Sequence, residues 1–210
     1  MIKDDRLYSI ASLIDKNSHT LLDIGVDHGY LIKIAFDNNK IKKAIAADIN
    51  EKPLNSAKAN LINYNVTYVL SNGFEKINDE FDVVVISGLG ANTIKDILKL
   101  APKDNITYIL QANNKVERLR KYLSSNNFKI IDEVLVYEND RYYVILKVVR
   151  GNQTLSEEEI YLGPILMNKK SSKAYYQHQL DHYNDLINNK NAKETAFKEE
   201  ILLLKSILNK

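Results

Sequence analysis

The sequence predicts an α/β fold, in which a Rossmann-like sheet is followed by a C-terminal antiparallel helical hairpin. Three observations support this prediction. Short apolar runs alternate with helical patterns five times up to residue 126, which is typical of a mostly parallel sheet covered by helices. Two long apolar segments then flank Glu138-Asn139-Asp140, a turn suited to a β-hairpin. From about Ser156 onward only helical spacing remains.

The individual elements follow from spacing and from residue type. Leu7, Ile10 and Ile14 fall at helical spacing and predict an opening helix. Pro53 stands where the first turn of a helix accepts it, and the apolar run at residues 81–86 is typical of a strand buried on both faces. We expect strands over residues 20–25, 43–49, 66–70, 81–86, 107–111, 128–137 and 141–149, and helices over residues 3–15, 30–38, 53–64, 92–100 and 116–126.

The antiparallel end of this sheet separates two kinds of Rossmann-like fold. A dinucleotide-binding dehydrogenase ends its sheet with another parallel strand, whereas a class I methyltransferase inserts a reversed last strand between its neighbours. The paired segments at residues 128–137 and 141–149 therefore favour the class I methyltransferase sheet.

The C-terminal part carries two apolar stripes, separated by an asparagine-rich stretch at residues 188–191. The first stripe consists of Tyr176, Leu180, Tyr183 and Ile187, and the second of Phe197, Ile201, Leu204 and Leu208. Their heptad-like spacing predicts a coiled-coil-like hairpin joined by a short turn. We therefore predict two domains, a Rossmann-like domain over residues 1–152 and the hairpin over residues 153–210. The polar faces of the hairpin carry eight lysines against five acidic residues, which suits either an ordinary solvated face or a phosphate-contacting surface.

The composition excludes several classes of protein. The 210 residues contain no cysteine, so disulfides and thiolate metal sites are excluded. The histidines at positions 19, 28, 178 and 182 form no ligand pattern, and we expect no metal. The first ten residues are charged and lack a long apolar run, so we expect no secretory signal, no membrane span and a cytoplasmic protein. A net charge of +2 neither requires nor forbids a nucleic-acid partner.

The turn after the first strand reads Asp23-Ile24-Gly25-Val26-Asp27-His28-Gly29-Tyr30. Ligands of an open α/β sheet bind at the carboxyl ends of its strands, and Gly25 allows the chain to turn sharply there. The turn lacks the central glycine of G-x-G-x-x-G, and Asp27 stands where a pyrophosphate-binding loop prefers a small neutral residue. A carboxylate repels a diphosphate but attracts the cationic amino and sulfonium groups of S-adenosylmethionine. The turn therefore favours S-adenosylmethionine over a nicotinamide cofactor.

Two further strand ends supply candidate cofactor ligands. Asp48, which is followed by Ile49, lies 23 positions after Gly25, close to the ~20 expected for an acidic residue that binds ribose hydroxyls. Asn72-Gly73 follows the third strand. A side-chain amide there suits an adenine edge, but Asn-Gly is equally typical of a plain turn.

Short motifs extend from the N-terminus to the start of the hairpin. They are Arg6-Leu7, the turn that begins at Asp23, Ile86-Ser87-Gly88-Leu89-Gly90, Leu110-Gln111-Ala112-Asn113 and Gly163-Pro164. In order and spacing they resemble the TrmK-type bacterial tRNA adenine-N1 methyltransferases, whose corresponding turn reads D-I-G-S-D-H-A-Y-L. Val26 replaces the serine of that motif and Gly29 its alanine, while Asn72 stands where the family has aspartate and Ala91 where it has a second glycine.

This resemblance implies an enzyme that transfers a methyl group from S-adenosylmethionine to N1 of the adenine at position twenty-two, in the D-arm region of tRNA. Together with the strand ends, it implies a cofactor site formed by Asp23, Gly25, Asp27, His28, Asp48, Ile49, Asn72, Gly73 and Gly88. On the acceptor side it places Arg6, Ser87, Leu89, Gly90, Gln111, Asn113 and Tyr143. We expect the enzyme to be a monomer.

Asp27 is the candidate catalytic residue. Adenine N1 attacks with its own lone pair, so methyl transfer needs chiefly alignment. A carboxylate can stabilise the positive charge of the product or accept a proton from the exocyclic amine. Asp27 has two alternative roles, orienting the amino group of the cofactor or capping the helix that follows. Because the chain lacks the D-P-P-Y tetrad of amino-group methylation, ring-nitrogen methylation fits better.

Three other functions are open on the residues alone. A small-molecule methyltransferase would share the cofactor site, and only the hairpin and the family resemblance argue against it. A nicotinamide-dependent oxidoreductase is disfavoured by Asp27 in the glycine turn. A non-catalytic RNA-binding module is disfavoured by the intact set of Asp23, Gly25, Asp27 and Asp48.

Overall fold

The chain folds as two compact units, residues 1–153 and 154–210. The computed structural model describes residues 4–190 and 197–209. No helix in these described ranges is long and apolar enough to cross a membrane. In the same ranges no group of three or more histidine and acidic side chains is arranged to hold a metal ion.

The first unit contains the α/β sheet. Its strands are β1 (Thr20–Ile24), β2 (Lys43–Asp48), β3 (Val66–Leu70), β4 (Val83–Leu89), β5 (Thr107–Ala112), β6 (Phe128–Glu138) and β7 (Arg141–Arg150). Its helices are α1 (Asp5–Ser12), α2 (Tyr30–Asp37), α3 (Glu51–Asn60), α4 (Ala91–Leu98) and α5 (Val116–Ser125). The predicted order of strands and helices is thus confirmed, with ends that differ by a few residues.

Two of these differences have local causes. The helix expected over residues 53–64 begins at Glu51, because Asn50 is extended (φ −116°, ψ 144°) and acts as the N-cap residue, which places Pro53 in the first turn. The strand expected to end at Ile86 continues to Leu89, because β4 stays paired with β5 through a bulge between Ser87 and Leu89.

The seven strands form one sheet in the order β3-β2-β1-β4-β5-β7-β6. The first five strands pair in parallel. β7 lies between β5 and β6 and is antiparallel to both. The expected class I methyltransferase sheet with a reversed, inserted last strand is therefore confirmed.

The topology brings the ends of β1, β2 and β4 to one edge of the sheet. β1 lies between β2 and β4, and the chain order reverses at β1, so a crevice opens at the carboxyl ends of these strands. All five residues of β1 are buried, which fixes the strand between the helical layers. The ladder continues one step past β1, because Gly25 N–H donates to Ala47 O at 2.8 Å. The first turn after β1 is thereby held at the crevice.

The second unit contains three α-helices within its described residues, α6 (Glu157–Leu162), α7 (Lys173–Lys190) and α8 (Lys198–Leu208). α6 adds a helix to the predicted hairpin. Its start carries the S-x-x-E signature of a capping box, since Ser156 and Glu159 exchange side-chain-to-backbone hydrogen bonds. The hydroxyl of Tyr161 in α6 donates to that of Tyr183 in α7 at 2.8 Å.

α7 and α8 contact each other, and each of the two predicted stripes has buried members. Tyr176 and Leu180 are buried on the first helix, and Ile201 and Leu204 on the second. The expected turn at residues 188–191 is wrong for its first three positions, which belong to α7, because the low helix propensity of asparagine is only a weak preference. Residue 191 lies outside the described residues.

Candidate active site

A cavity of about 630 Å³ opens at the carboxyl edge of the sheet. One wall is the turn after β1, another is formed by the ends of β2 and β4, and residues of α1 and β7 close the opposite side. The predicted cofactor residues that line it are Asp23, Gly25, Asp27, His28, Asp48 and Gly88. The predicted acceptor residues that line it are Arg6, Ser87, Leu89, Asn113 and Tyr143.

The turn after β1 depends on backbone angles that few residues adopt. Gly25, Asp27 and Gly29 all have positive φ, at +83°, +49° and +73°. Aspartate tolerates this left-handed region because its short polar side chain can bond locally. Gly29 is also sterically required, since a Cβ built there would lie 2.6 Å from Cδ1 of Leu61. The turn thus packs directly on α3.

Asp23 places a buried carboxyl group at the inner end of the cavity. The residue is only 3% exposed, yet it contributes to the cavity wall. Burial, followed by the negative charges of Asp48 and Asp27, raises the pKa of Asp23 from 3.8 to about 7. Within residues 4–190 and 197–209 no donor forms a hydrogen bond with this carboxyl group. A cationic ligand group would supply both the missing donor and the missing charge.

Asp48 holds a second carboxylate at the end of β2. Its Oδ1 accepts a hydrogen bond from the backbone N–H of Asn50 at 2.9 Å, which fixes the side chain at the start of α3. Because the side chain lines the same cavity as Asp23, this position suits an acceptor for ribose hydroxyls.

Asp27 and His28 lie at the exposed mouth of the cavity. Oδ1 of Asp27 is 3.6 Å from Nε2 of His28, and the Asp27 side chain is 77% exposed. The His28 ring stacks on Tyr30 with the centroids 5.5 Å apart. The alternative role of Asp27 as a helix cap is wrong, because α2 begins after Gly29 without a side-chain cap. Asp27 is therefore free to face a ligand.

The acceptor side is linked by side-chain amides. Oε1 of Gln111 accepts hydrogen bonds from the backbone N–H of Gly88 at 3.0 Å and from Nη1 of Arg6 at 2.9 Å. Nε2 of Gln111 donates to Oδ1 of Asn113 at 3.1 Å, and Nδ2 of Asn113 donates to Gly88 O at 2.6 Å. The ends of β4 and β5 are thus joined to α1 through one buried side chain.

Arg6 contributes a positive charge to a cavity that four aspartates line, Asp4, Asp23, Asp27 and Asp48. Its guanidinium carbon lies 5.4 Å from the centroid of the Tyr143 ring, a cation–π arrangement. Nη2 is 3.8 Å from Oδ2 of Asp4. The cavity thus combines the carboxyl groups of Asp23 and Asp48 with a cation and an aromatic ring, which Arg6 and Tyr143 contribute.

Five predicted site residues lie outside the cavity wall. Ile49 is exposed next to Asp48, and Asn72 donates through its amide to Glu75 at 2.7 Å. Gly73 faces the side chain of Ile97, Gly90 is the N-cap residue of α4, and Gln111 is fully buried behind the wall. A role in binding stays a prediction for each of them.

The cavity wall also contains residues that were not predicted. They are Asp4, Leu7, Val26, Tyr30, Leu31, Asn50 and Pro53. Val26, Tyr30 and Leu31 belong to the motif around Asp27, so the motif itself was the signal. Asp4 was missed because its role depends on where α1 lies against the sheet. No local pattern encodes that position.

The comparisons with known proteins agree with this geometry. Residues 21–209 match the TrmK family, described as tRNA (adenine(22)-N(1))-methyltransferase. The tRNA (adenine(22)-N(1))-methyltransferase of Bacillus subtilis is 32% identical over 182 residues, which cover 80% of this chain and 76% of that protein.

Solved structures agree as well. M. capricolum TrmK in complex with S-adenosyl-homocysteine is 30% identical and has a TM-score of 0.86, with 100% of this chain and 99% of that chain covered. A Streptococcus pneumoniae protein in complex with S-adenosyl-L-methionine is 28% identical, with a TM-score of 0.88 over 99% of this chain and 100% of that one. The expected cofactor is thereby confirmed, and the chain belongs to the TrmK family of S-adenosylmethionine-dependent tRNA (adenine(22)-N(1))-methyltransferases.

Proposed function

We propose that this chain methylates N1 of the adenine at position 22 of tRNA, and that two sets of residues in its cavity bind cofactor and base separately. The observation that carries this proposal is that Asp23 and Asp48 line the same cavity as Arg6 and Asn113, which are both hydrogen-bonded to Gln111. The family supplies the reaction and the position of the target base.

Asp23 and Asp48 are the proposed contacts of the cofactor's amino acid and ribose. The carboxyl group of Asp23, which has no donor among the described residues, suits the ammonium group. Asp48, held by Asn50, suits the ribose hydroxyls. The left-handed turn at Gly25 lets the backbone approach the ligand closely.

The methyl transfer is an in-line displacement, for which the bound S-adenosylmethionine supplies an electrophilic methyl group. The protein has to align N1 of adenine with that group and exclude water. N1 carries the lone pair that forms the new bond, and the base becomes cationic. We assign Asp27 the role of facing this charge, because its carboxylate lies at the cavity mouth beside His28.

Arg6, Asn113 and Tyr143 are the proposed contacts of the target base. An adenine within folded tRNA has to be unstacked before it enters a cavity. Tyr143 offers an aromatic ring against which the base can stack. The centroid of this ring lies 5.4 Å from the guanidinium carbon of Arg6. Ser87 and Leu89 flank Gly88 at the end of β4 and complete this side.

The second unit is the proposed additional contact with tRNA. Lys170, Lys173, Lys198 and Lys205 are exposed on it, and lysines contact phosphates without reading sequence. We further propose that the enzyme acts as a monomer in the cytoplasm. A mass measurement by light scattering tests the monomer.

The decisive experiment measures transfer of labelled methyl from S-adenosylmethionine to unmodified tRNA transcripts that carry adenine or guanine at position 22. We expect incorporation only with adenine, and product analysis should identify 1-methyladenosine. Asp27→Asn is the matched variant, since asparagine also tolerates positive φ. Incorporation with guanine, or an Asp27→Asn enzyme with unchanged turnover, would contradict the target base or the role of Asp27 respectively.

A further inference from the structure

Gln111 occupies an unusual position for a residue near an active site. It is 0% exposed at the end of β5 and does not line the cavity. Nevertheless its amide contacts Arg6 and Asn113, which both line the cavity, and also Gly88. A buried polar side chain with this many partners is costly to misplace, because each unpaired group would lose a hydrogen bond without water to replace it.

The orientation of the Gln111 amide is fixed by the chemistry of its neighbours. The backbone N–H of Gly88 and the guanidinium of Arg6 can only donate, so the atom that faces both at 3.0 and 2.9 Å has to be the oxygen. The nitrogen is thereby turned towards Asn113. A flipped amide would place two donors against two donors.

The same logic fixes Asn113. Its Oδ1 receives the N–H of Gln111 at 3.1 Å, and its Nδ2 donates to the carbonyl oxygen of Gly88, which can only accept, at 2.6 Å. Each of the two atoms retains one further hydrogen-bonding position. Asn113 is exposed at the cavity, so it presents to a bound base an amide whose orientation is already decided.

We propose that Gln111 is a positioning residue for the acceptor base: from behind the cavity wall it fixes the orientation of Asn113 and the place of Arg6. This inference rests on the proposed function and deepens it, because it names the groups that hold the base. Its chemical basis is preorganisation, in which the polar groups need no rearrangement when the base arrives.

The three contacts can be separated by substitution. Gln111→Glu keeps oxygen acceptors for Gly88 and Arg6 but removes the N–H that orients Asn113. Gln111→Met has a similar length and removes all of the polar contacts without burying a charge. Tyr108→Phe is the matched structural control, because Tyr108 is also fully buried in β5. Its hydroxyl donates to Pro102 O at 3.2 Å, and neither residue lines the cavity.

The experiment measures kcat and KM for tRNA, the Kd of S-adenosyl-homocysteine and the melting temperature for each full-length variant. We expect Gln111→Glu to lower kcat/KM for tRNA by roughly 10- to 100-fold, within the range of coupling between contacting residues. The Kd of S-adenosyl-homocysteine should stay within about threefold of wild type, because Gln111→Glu keeps an oxygen acceptor for Gly88 and leaves Asp23 and Asp48 unchanged. Tyr108→Phe should keep full activity.

A double-mutant cycle distinguishes positioning from mere stability. In an Asn113→Ala background, Gln111→Glu should cost less than about threefold, because the residue it orients is gone. Equal losses with and without Asn113 would overturn the proposal, as would a rise in Kd that accounts for the whole loss of activity. If the buried charge of Gln111→Glu prevents folding, Gln111→Met replaces it in the cycle. Its loss should become smaller in the Asn113→Ala background but should not vanish, because the contact with Arg6 is lost in both backgrounds. A wild-type protein inactive on tRNA would overturn the proposed function itself, and the positioning role with it.

Discussion

Replacing Asp23 by asparagine should stabilise the cofactor-free enzyme and weaken cofactor binding. The pKa of Asp23 is raised from 3.8 to about 7 in the folded protein by burial and by Asp48 and Asp27. The folded state therefore binds a proton that the unfolded state releases above pH 3.8, so stability falls as the pH rises from 3.8 to about 7. Above that range the ionised carboxylate costs ~4 kcal/mol.

The magnitude is best taken as a difference between two pH values, because the amide of Asp23→Asn carries its own cost of burial. At about pH 5.5 the raised pKa of Asp23 lowers the free energy of unfolding by ~2 kcal/mol, and at about pH 8 it lowers it by ~4 kcal/mol. The stability gained by Asp23→Asn should therefore grow by ~2 kcal/mol between these two conditions. For a chain of 210 residues this corresponds to roughly 4–8 °C in melting temperature.

The assay is thermal unfolding of wild type and Asp23→Asn at both pH values, first without ligand and then with S-adenosyl-homocysteine. Adding the ligand should reverse the ranking at about pH 8, because its ammonium group stabilises the ionised carboxylate only in wild type. Asp104→Asn serves as a control, since Asp104 is an exposed aspartate away from the cavity. A gain from Asp23→Asn that is equal at both pH values would refute the raised pKa, and a ligand shift equal in both proteins would refute the ammonium contact.

Three further predictions concern the turn, the buried ion pair and the second unit. Gly29→Ala should lower the free energy of unfolding by ~1–2 kcal/mol in urea titrations, because of its positive φ and its contact with Leu61; an unchanged value would show that Leu61 moves aside freely. Glu133→Gln should cost ~3–5 kcal/mol by the same measurement, because it removes the carboxylate that lies 2.8 Å from Nε of Arg120 in an ion pair whose side chains are both 0% exposed. Changing Lys170 and Lys173 together to glutamine should raise KM for tRNA and reduce the salt dependence of binding by ~1–2 in log–log slope, with kcat unchanged; an unchanged slope would remove these lysines from the interface.

The sequence was a good guide to the sheet, because burial on both faces leaves a clear pattern. The apolar run of β4 and the alternation of strands with helices predicted a parallel sheet, and the hairpin at residues 138–140 predicted its reversed end. The second unit was harder. Its stripes predict the helices α7 and α8, but the asparagines predict a turn at residues 188–191, of which residues 188–190 belong to α7, since local helix propensity is only a weak preference.

Some residues of the candidate site could be predicted from the sequence, whereas the contacts between them could not. Residues that follow β1, β2 and β4 were predicted because the carboxyl edge of a parallel sheet collects them whatever the helices do. The closeness of Arg6 to Gln111 could be expected from the family resemblance, but the bond between them could not be predicted, since 105 positions separate them in sequence. The raised pKa of Asp23 was also outside the reach of the sequence. It depends on three carboxylates that meet only after folding.

These three carboxylates explain why a buried acid is retained at the end of β1. In the free protein, burial and then the negative charges of Asp48 and Asp27 make the ionised form of Asp23 unfavourable, so part of the folding free energy is lost at neutral pH. A ligand with two positive charges recovers that loss when it binds, whereas a neutral or anionic nucleotide does not. The same cluster thus raises affinity for a cationic cofactor and disfavours a dinucleotide in one crevice. Selectivity for a cationic cofactor thus arises because the free site, in the described part of the chain, lacks a positive charge beside Asp23. The folding free energy lost at neutral pH measures the size of this effect.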